Sequence, residues 1–310
     1  MIQDILPHKF HNEFHLKKPG AQDILLVFND KKEVLVRKSD EEIIGFPRCG
    51  EFMSFMTGES ASFKDADMER SWEVPEATAK AGIADAQCME YAFSLDETDY
   101  YLLLDFSGSV MIPGCEYLSL AHVRAGTRDT NRPASLLIMT GWHLYVWYRS
   151  NQFCGRCGQR TVRDTKERML RCPHCGNMIY PRINPAVIVA VTDGDRILLS
   201  RYAGRVHTGY ALIAGFVEIG ETLEETVARE VMEEVGLKVR NIRYYKSQPW
   251  GVDSNVLQGF FCELDGEDHI RLDRRELSMA QWYHRDEIPV EDDGYSLTRE
   301  MIGVFKHGRF

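Results

Sequence analysis

Apolar and polar positions alternate over short distances in the first half of the chain, which indicates a mixture of strands and helices. Apolar runs at residues 24–28 and 33–36 flank a polar loop and predict a hairpin, and residues 100–105 predict another strand. A helical period over residues 77–93 and 133–148 predicts two helices. We therefore expect an α+β domain over this part of the chain.

The second half follows a clearer pattern. Residues 185–191 and 196–200 are apolar runs joined by a polar turn, which predicts a β-hairpin. Residues 221–235 form an amphipathic helix that ends at Gly236, and His207 before it is expected in a loop. The remaining elements predicted here are strands over 242–245, 256–263 and 279–283 and a helix over 296–305. The whole chain is thus predicted to be α+β in three parts.

Length and charge limit the classes of function. A chain of 310 residues has room for about two domains and a small third module. Its 37 Lys and Arg against 47 Asp and Glu give a net charge of −10, which argues against a protein that coats nucleic acid through its phosphates. A phosphate ligand must then be met locally, by a basic pocket, backbone amides or divalent cations.

The apolar segments predict a cytoplasmic protein with no membrane partner. The most apolar stretch, residues 136–147, is too short to span a bilayer and is interrupted by polar residues. The N-terminal residues lack the basic and apolar regions of a secretory signal. Eight cysteines in a chain of this length favour thiols in a reducing compartment over a disulfide framework.

Four of the cysteines form two closely spaced pairs separated by 14 residues: Cys154, Cys157, Cys172 and Cys175. Two such pairs can place four thiolates around one tetrahedral zinc ion. Gly158 and Gly176 follow the pairs and suit the positive φ angles of such turns. Four protein ligands leave no open position, so the predicted zinc is structural. The alternatives are four buried thiols or a redox dithiol, and the latter needs only one pair.

A glutamate-rich helix carries the second candidate site. At about 100° per residue, Glu230, Glu233 and Glu234 lie on one face of the helix, where they repel each other unless cations or water neutralise them. Arg229 is positioned to pair with Glu221 in the preceding loop. The alternative is an acidic helix face that is exposed to solvent and binds no metal. Metal binding is favoured because glycines before the helix allow close approach of a ligand.

The segment from residue 215 to 237 resembles the Nudix box. Every defined position of that motif is filled, by Gly215, Glu221, Arg229, Glu230, Val231, Glu233, Glu234, Gly236 and Leu237. The resemblance implies Mg²⁺- or Mn²⁺-dependent hydrolases that split the diphosphate of a nucleoside diphosphate linked to another group. It also implies the Nudix fold, an α/β/α sandwich with a mixed sheet. Hard cations that bridge carboxylate and phosphate oxygens suit this chemistry.

The cysteine module, the box and residues 247–250, which read Ser-Gln-Pro-Trp, together resemble the NADH pyrophosphatases, or NAD⁺ diphosphatases, of the NudC type. That family implies hydrolysis of NADH or NAD⁺ to nicotinamide mononucleotide and AMP, with removal of NAD caps from RNA 5′ ends as a related activity. It also implies a homodimer. The implied domains are a degenerate Nudix-like domain over residues 1–150, a zinc ribbon over 151–180 and the catalytic Nudix domain over 181–310.

The resemblance also assigns roles to individual residues. It implies that the metal ligands are Glu230, Glu234, Glu276 and the carbonyl of Ala214, that Glu233 assists, and that Glu234 handles the proton of the attacking water. Phe216 matches a base-stacking position, although it could instead be a core residue. The other implied substrate contacts are Tyr180 and Glu167 from a dimer partner, Gln248, Pro249, Trp250, Ser254, Asn255 and Thr298. The structural positions of the box are Gly215, Glu221, Arg229 and Gly236.

One departure from the family pattern bears on the substrate. After Trp250 the family continues with Pro-Phe-Pro, one variable residue and Ser, whereas residues 251–255 read Gly-Val-Asp-Ser-Asn. A broader pyrophosphatase acting on ADP-ribose or other dinucleotides is therefore the alternative within the class. A second alternative is an inert nucleotide-sensing regulator, but the box glutamates that such a protein would lose are all present.

Overall fold

The computed structural model describes residues 1–39, 42–57, 88–106, 110–127, 131–204 and 209–309. They form two compact units, one of Ile5–Arg182 and one of Met1–Asp4 with Ile183–Phe310. The four-cysteine module thus belongs to the same unit as the N-terminal part of the chain. The proposed three-domain division remains a prediction, and His207 lies outside the described residues.

The first unit contains ten strands and three helices among its described residues. The strands are β1 (Phe10–His11), β2 (Ile24–Leu26), β3 (Glu33–Ser39), β4 (Glu42–Gly45), β5 (Met89–Leu95), β6 (Thr98–Leu103), β7 (Cys115–Ser119), β8 (Val162–Arg163), β9 (Leu170–Arg171) and β10 (Met178–Ile179). The helices are α1 (Cys49–Thr57), α2 (Leu120–Thr127) and α3 (Arg132–Ser150). The strands form three sheets, in the orders β1-β5-β6-β2, β4-β3-β7 and β10-β9-β8.

Helix α3 confirms the helix predicted over residues 133–148. Its cap is Asn131, whose side chain accepts a hydrogen bond from the amide of Ala134. Among the helices that the structure describes, α3 included, none has the length and apolar character needed to cross a membrane. Trp142 of α3 shares a core with residues from β2, β5 and the cysteine module, namely Leu26, Phe93 and Leu170. The module therefore packs on the N-terminal part of its unit.

Two predictions for the first unit were wrong or incomplete. The helix over residues 77–93 is contradicted at its end, because β5 runs over Met89–Leu95 and pairs with β1 and β6, while residues 77–87 lie outside the described part. Strand pairing and burial override a helical period here. The chain does reverse between β2 and β3, and Phe28 bridges Val34, but the two strands belong to different sheets.

The second unit contains six strands and two helices among its described residues. They are β11 (Asn184–Asp193), β12 (Arg196–Tyr202), β13 (Ile213–Phe216), α4 (Leu223–Val235), β14 (Val239–Trp250), β15 (Asn255–Leu264), β16 (Leu277–His284) and α5 (Leu297–Lys306). The sheet order is β14-β15-β11-β12-β16, with β13 paired to β11. Strands β11 and β15 run parallel and the other pairs antiparallel, so the sheet is mixed.

The two helices cover opposite faces of this sheet. Helix α4 buries Val227, Val231 and Val235 against one face, and Ala228 beside them is exposed. Helix α5 packs on the other face through an apolar side that includes Met301 and Phe305. The unit is therefore an α/β/α sandwich with a mixed sheet, as the resemblance implied.

Candidate metal and substrate site

Local signals set both ends of helix α4 and so determine which side chains share a face. Thr222 caps the N-terminus, with the Glu225 amide donating to its hydroxyl at 3.2 Å and its own amide donating to the Glu225 carboxylate at 2.8 Å. Gly236 ends the helix with a φ of 69°, which favours glycine. Local hydrogen bonds and a left-handed glycine thus define the two ends of the helix.

Strand β13 passes close to the acidic face of α4. A Cβ atom placed at Gly215 would lie 1.9 Å from the carboxyl carbon of Glu230, so no larger residue fits there unless one of the two elements moves. Glu230 is 9% exposed and Glu234 is 2% exposed, whereas the side chain of Glu233 is 60% exposed. Two of the three predicted carboxylates are therefore buried, that of Glu230 against β13, and the third faces solvent.

Arg229 ties the loop before α4 to the acidic face. It donates two hydrogen bonds to the Glu221 carboxylate, at 2.6 and 3.0 Å, which confirms the predicted pair. It also donates to Glu230 at 2.8 Å, to Glu233 at 3.0 Å and to the carbonyl of Phe216 at 2.9 Å. One guanidinium therefore orients two of the predicted site carboxylates and the chain beside Gly215.

The electrostatics of these carboxylates differ according to their neighbours. Hydrogen bonds from Arg229 lower the pKa of Glu221 to about 2. Burial raises the pKa of Glu230; Arg229 opposes this rise, and the negative charges of Glu233 and Glu276 add to it. Glu230 thus lies within electrostatic reach of two further carboxylates. A divalent cation among them would favour the ionised form of each.

The other two predicted metal ligands come from strand ends. Ala214 lies in β13, where it pairs with Ile188. Glu276 precedes β16 and is exposed, and its carbonyl accepts a hydrogen bond from the amide of Ala203 at 2.8 Å. Carboxylate and carbonyl oxygens are the donors that hard divalent cations prefer, so the chemistry of this donor set suits such an ion.

The predicted substrate contacts fall into different environments. Phe216 follows Gly215 and is 54% exposed, which argues against the core reading of this ring. Gln248 is fully buried: its side-chain nitrogen donates to the carbonyl of Tyr295 at 2.9 Å, and its oxygen accepts from the amide of Leu297 at 2.8 Å. Gln248 therefore holds the start of α5, where Thr298 lies.

The residues that replace the family signature form a tight connection between β14 and β15. Residues Gly251–Asp253 make a single 3₁₀ turn, and Ser254 adopts a left-handed φ of 58°. Trp250 pairs with Asn255 across this turn, and the ring of Trp250 lies 6.4 Å from that of Tyr295. Pro249 is exposed and Asn255 is buried. A turn of this kind keeps the connection compact without the prolines of the family pattern.

Tyr180 and Glu167 lie in the first unit. The Tyr180 hydroxyl donates to a carboxylate oxygen of Glu167 at 3.2 Å, and the Tyr180 side chain is 53% exposed. The structure therefore brings these two predicted contacts together. The glutamates of α4 belong to the other compact unit.

The four clustered cysteines converge on one point. Their sulfur atoms all lie within 4.8 Å of one another, as ligands of a single ion require. Gly158 and Gly176 both have a φ of 72°, as the spacing predicted. The amide of Arg156 donates to the Cys154 sulfur at 3.4 Å and lowers the pKa of that thiol to about 6. This arrangement fits a tetrahedral zinc ion with no open position.

One contact in this module was not predicted from the sequence. The Asn177 side chain donates to the Cys154 sulfur at 3.7 Å. Hydrogen bonds of this kind to a ligand sulfur stabilise the thiolate form. Asn177 follows the second glycine turn directly, and only the folded module brings it to a cysteine 23 residues earlier.

Comparison with known families matches two parts of the chain. Residues 182–302 match the NUDIX domain, and residues 149–180 match the NADH pyrophosphatase zinc ribbon domain. The matches are adjacent, in the order that the sequence predicted. Together they account for the four-cysteine module and for the sandwich that carries α4.

Similar proteins include two enzymes described as NAD-capped RNA hydrolase NudC. The one from Salmonella paratyphi C (strain RKS4594) is 42% identical over 162 residues, and the one from Enterobacter sp. (strain 638) is 43% identical over 162 residues. These matches cover 52% of this chain and 63% and 62% of the relatives, so less than two thirds of either relative is matched. A NUDIX hydrolase structure from Nitrosomonas europaea has a TM-score of 0.45 and 23% identity, covering 51% of this chain and 92% of that one.

Proposed function

Because the chain carries a NUDIX domain directly after an NADH pyrophosphatase zinc ribbon domain, we propose that it hydrolyses the pyrophosphate bond of NADH and NAD⁺. The products are nicotinamide mononucleotide and AMP. We extend the proposal to NAD caps at RNA 5′ ends, which present the same bond and which the named relatives act on. The observation that carries the proposal is the complete acidic face of α4, with Glu230 packed on Gly215 and held by Arg229.

The metal of the proposed reaction is Mg²⁺ or Mn²⁺. The residues that would hold it are Glu230, Glu234, Glu276 and the carbonyl oxygen of Ala214. When bound, such a cation neutralises charge on the pyrophosphate oxygens and makes water more acidic. A second metal, zinc, is proposed at the four cysteines, where its role is to hold the module together.

The chain's own residues would position the water and the substrate. Glu234, which is buried on the acidic side of α4, accepts the proton of the attacking water. The water oxygen bonds to one phosphorus, and the bridging oxygen leaves with the other phosphate. Glu233 assists from the solvent side, and Arg229 keeps Glu230 in place. The exposed ring of Phe216 offers a surface on which a base can stack.

The connection between β14 and β15 favours a second candidate within the class. A compact 3₁₀ turn stands where the family has a proline-rich segment. This turn lacks the aromatic ring of the family signature. It therefore offers fewer contacts that could distinguish nicotinamide from other groups of a substrate. A broader activity that includes ADP-ribose follows if this segment sets the choice of substrate.

We also propose that two copies of the chain associate in the cytoplasm. The family resemblance places Tyr180 and Glu167 of one subunit at the substrate of the other. The 53% exposure of Tyr180 is compatible with such a contact. Light scattering on the purified chain tests the homodimer, and a monomer at all concentrations would remove this part of the proposal.

A substrate panel tests the activity. The full chain is incubated with NADH, NAD⁺, ADP-ribose, a dinucleoside polyphosphate and NAD-capped RNA, with Mg²⁺ and Mn²⁺ in parallel. We expect the highest kcat/KM for the nicotinamide substrates and none after the divalent ions are removed. Equal turnover of all five would support the broader pyrophosphatase. No turnover of any would support the inert regulator.

A further inference from the structure

Arg201 occupies an unusual position near the end of β12. Its neighbours two and four residues earlier, Leu199 and Ile197, belong to the core beneath α5, so Arg201 lies on that face of the sheet. Its guanidinium carbon is 4.1 Å from the ring centre of Tyr210. Its Nε is buried and has no hydrogen-bond acceptor among the described residues. A buried donor of this kind is costly unless something supplies an acceptor.

The Tyr210 ring, on which the Arg201 guanidinium stacks, is itself held in place by Tyr283. The hydroxyls of Tyr210 and Tyr283 lie 3.2 Å apart, and the two rings meet edge to face with centres 5.5 Å apart. Tyr283 comes from β16, the neighbouring strand. Stacking on an aromatic ring orients the plane of a guanidinium but leaves its hydrogen-bond donors free for an acceptor in that plane.

Arg201 is also close in the fold to two of the proposed metal ligands. Two residues after it, the amide of Ala203 donates to the carbonyl of Glu276 at 2.8 Å. One residue before it, Ser200 bridges Ala211, which follows Tyr210 and leads into β13 and Ala214. Both Tyr210 and Ala214 contact the core beneath α5. Arg201 is thus near in the fold to the strand ends at which Glu276 and Ala214 are found.

Arg196 on the same strand is an arginine whose guanidinium does have acidic partners. Its guanidinium also lies over an aromatic ring, at 5.3 Å from the centre of Trp282. Unlike that of Arg201, it forms ion pairs, with Asp193 and with Asp268 at 3.0 Å. Aromatic stacking is therefore accompanied by two carboxylate partners for Arg196 and, among the described residues, by none for Arg201.

We propose that Arg201 is a phosphate-binding residue whose guanidinium donates a hydrogen bond to an oxygen of the substrate pyrophosphate. Arginine suits this role because its planar donors match phosphate oxygens. The outer nitrogens of the guanidinium would donate to the phosphate oxygen, and Tyr210 and Tyr283 hold the guanidinium in place before the substrate binds. This inference rests on the proposed function, because it takes the pyrophosphate to lie beside Ala214 and Glu276.

Binding of inorganic pyrophosphate tests the role of Arg201 without depending on the choice of dinucleotide. Isothermal titration calorimetry with Mg²⁺ is performed on the zinc-loaded full chain, on R201Q, on R201K and on R196Q as the matched control. We expect R201Q to raise the Kd at least tenfold and R201K to raise it at least threefold, since a lysine keeps the charge but lacks the planar donors. R196Q should bind as the wild type does.

The outcomes separate this inference from the proposed activity. Wild-type affinity in both R201Q and R201K would overturn the role of Arg201, even if NADH is hydrolysed. A wild-type chain that binds no pyrophosphate would also overturn it. If the Arg201 variants lose pyrophosphate binding but the wild type hydrolyses no nicotinamide substrate, only the proposed substrate is wrong. Should R201Q fail to fold, R201K decides, because it retains the charge and the aliphatic stem.

Discussion

The carboxyl group of Glu230 fills the space that a side chain at Gly215 would occupy. The two residues come from different elements, the middle of α4 and the short strand β13, and a Cβ at position 215 would lie 1.9 Å from the Glu230 carboxyl carbon. A backbone with no side chain thus lets a buried carboxylate approach the strand that presents the Ala214 carbonyl. This contact gives a steric reason for a glycine at position 215 of the box.

The first prediction concerns this contact. The variant G215A should lose at least 100-fold in kcat/KM and about 1–3 kcal/mol of stability, because the added methyl group forces Glu230 or β13 to move. Activity assays and urea unfolding measure the two effects. The double variant G215A/E230A should regain most of the lost stability but no activity, since the clash is relieved while the carboxylate is gone. Independent, additive effects on stability would contradict the contact.

The second prediction concerns the glutamate assigned to the proton of the attacking water. E234Q should reduce kcat at least 100-fold while thermal unfolding and zinc content stay close to those of the wild type. E224Q is the matched control, because Glu224 lies on the same helix but is exposed in its first turn. Undiminished turnover in E234Q would exclude Glu234 from the chemistry. An equal loss in E224Q would point to the helix charge as a whole.

The third prediction concerns pH. The pKa of Glu221 is about 2 in the fold, below its ordinary value of 4.5, because of its hydrogen bonds from Arg229. A carboxylate with a lowered pKa stabilises the fold above its unfolded pKa, and this contribution is lost as pH falls through the folded value. The stability difference between wild type and E221Q should therefore be constant from pH 7 to about 5 and shrink as pH falls from about 4.5 towards 2. Urea unfolding at a series of pH values measures it, and a difference that does not change with pH would contradict the ion pair.

The fourth prediction concerns the cysteine module. Removing zinc with a chelator should destabilise the first unit more than the second, because the core of the first unit includes Leu170 of the module. Hydrogen exchange followed by mass spectrometry should show faster exchange in residues 5–182 and little change in 183–310. C154S should lose zinc. C262S, at a buried cysteine in the second unit, should keep it. Equal exchange in both units after chelation would contradict the prediction.

Helix α4 and the four-cysteine module were predictable because their signals are local. A cap at Thr222, a glycine at position 236 and the period of apolar residues between them determine the helix with little help from the rest of the chain. The paired cysteines and the glycines after them determine the two turns in the same way. The acidic face and the four thiolates could be named from the sequence because each set depends on spacing within a few turns.

Other features depended on contacts that no spacing reveals. Residues 89–93 have a helical period but lie in β5, because β6 pairs with them. Gln248 belongs to a family signature, yet its side chain caps the start of α5, about 50 residues later. The Tyr210 and Tyr283 hydroxyls that meet beside Arg201 are 73 residues apart in the chain.

The sequence by itself determined the chemistry that this protein offers: a row of carboxylates, a set of four thiolates and an arginine beside Glu221. These follow from short-range spacing, which the helix period and the glycine turns convert directly into geometry. Only the tertiary structure decided which of these groups are buried, that Glu230 lies against Gly215, and that Arg201 lies over the ring of Tyr210. Burial and long-range strand pairing are properties of the whole sheet, and no local pattern specifies them.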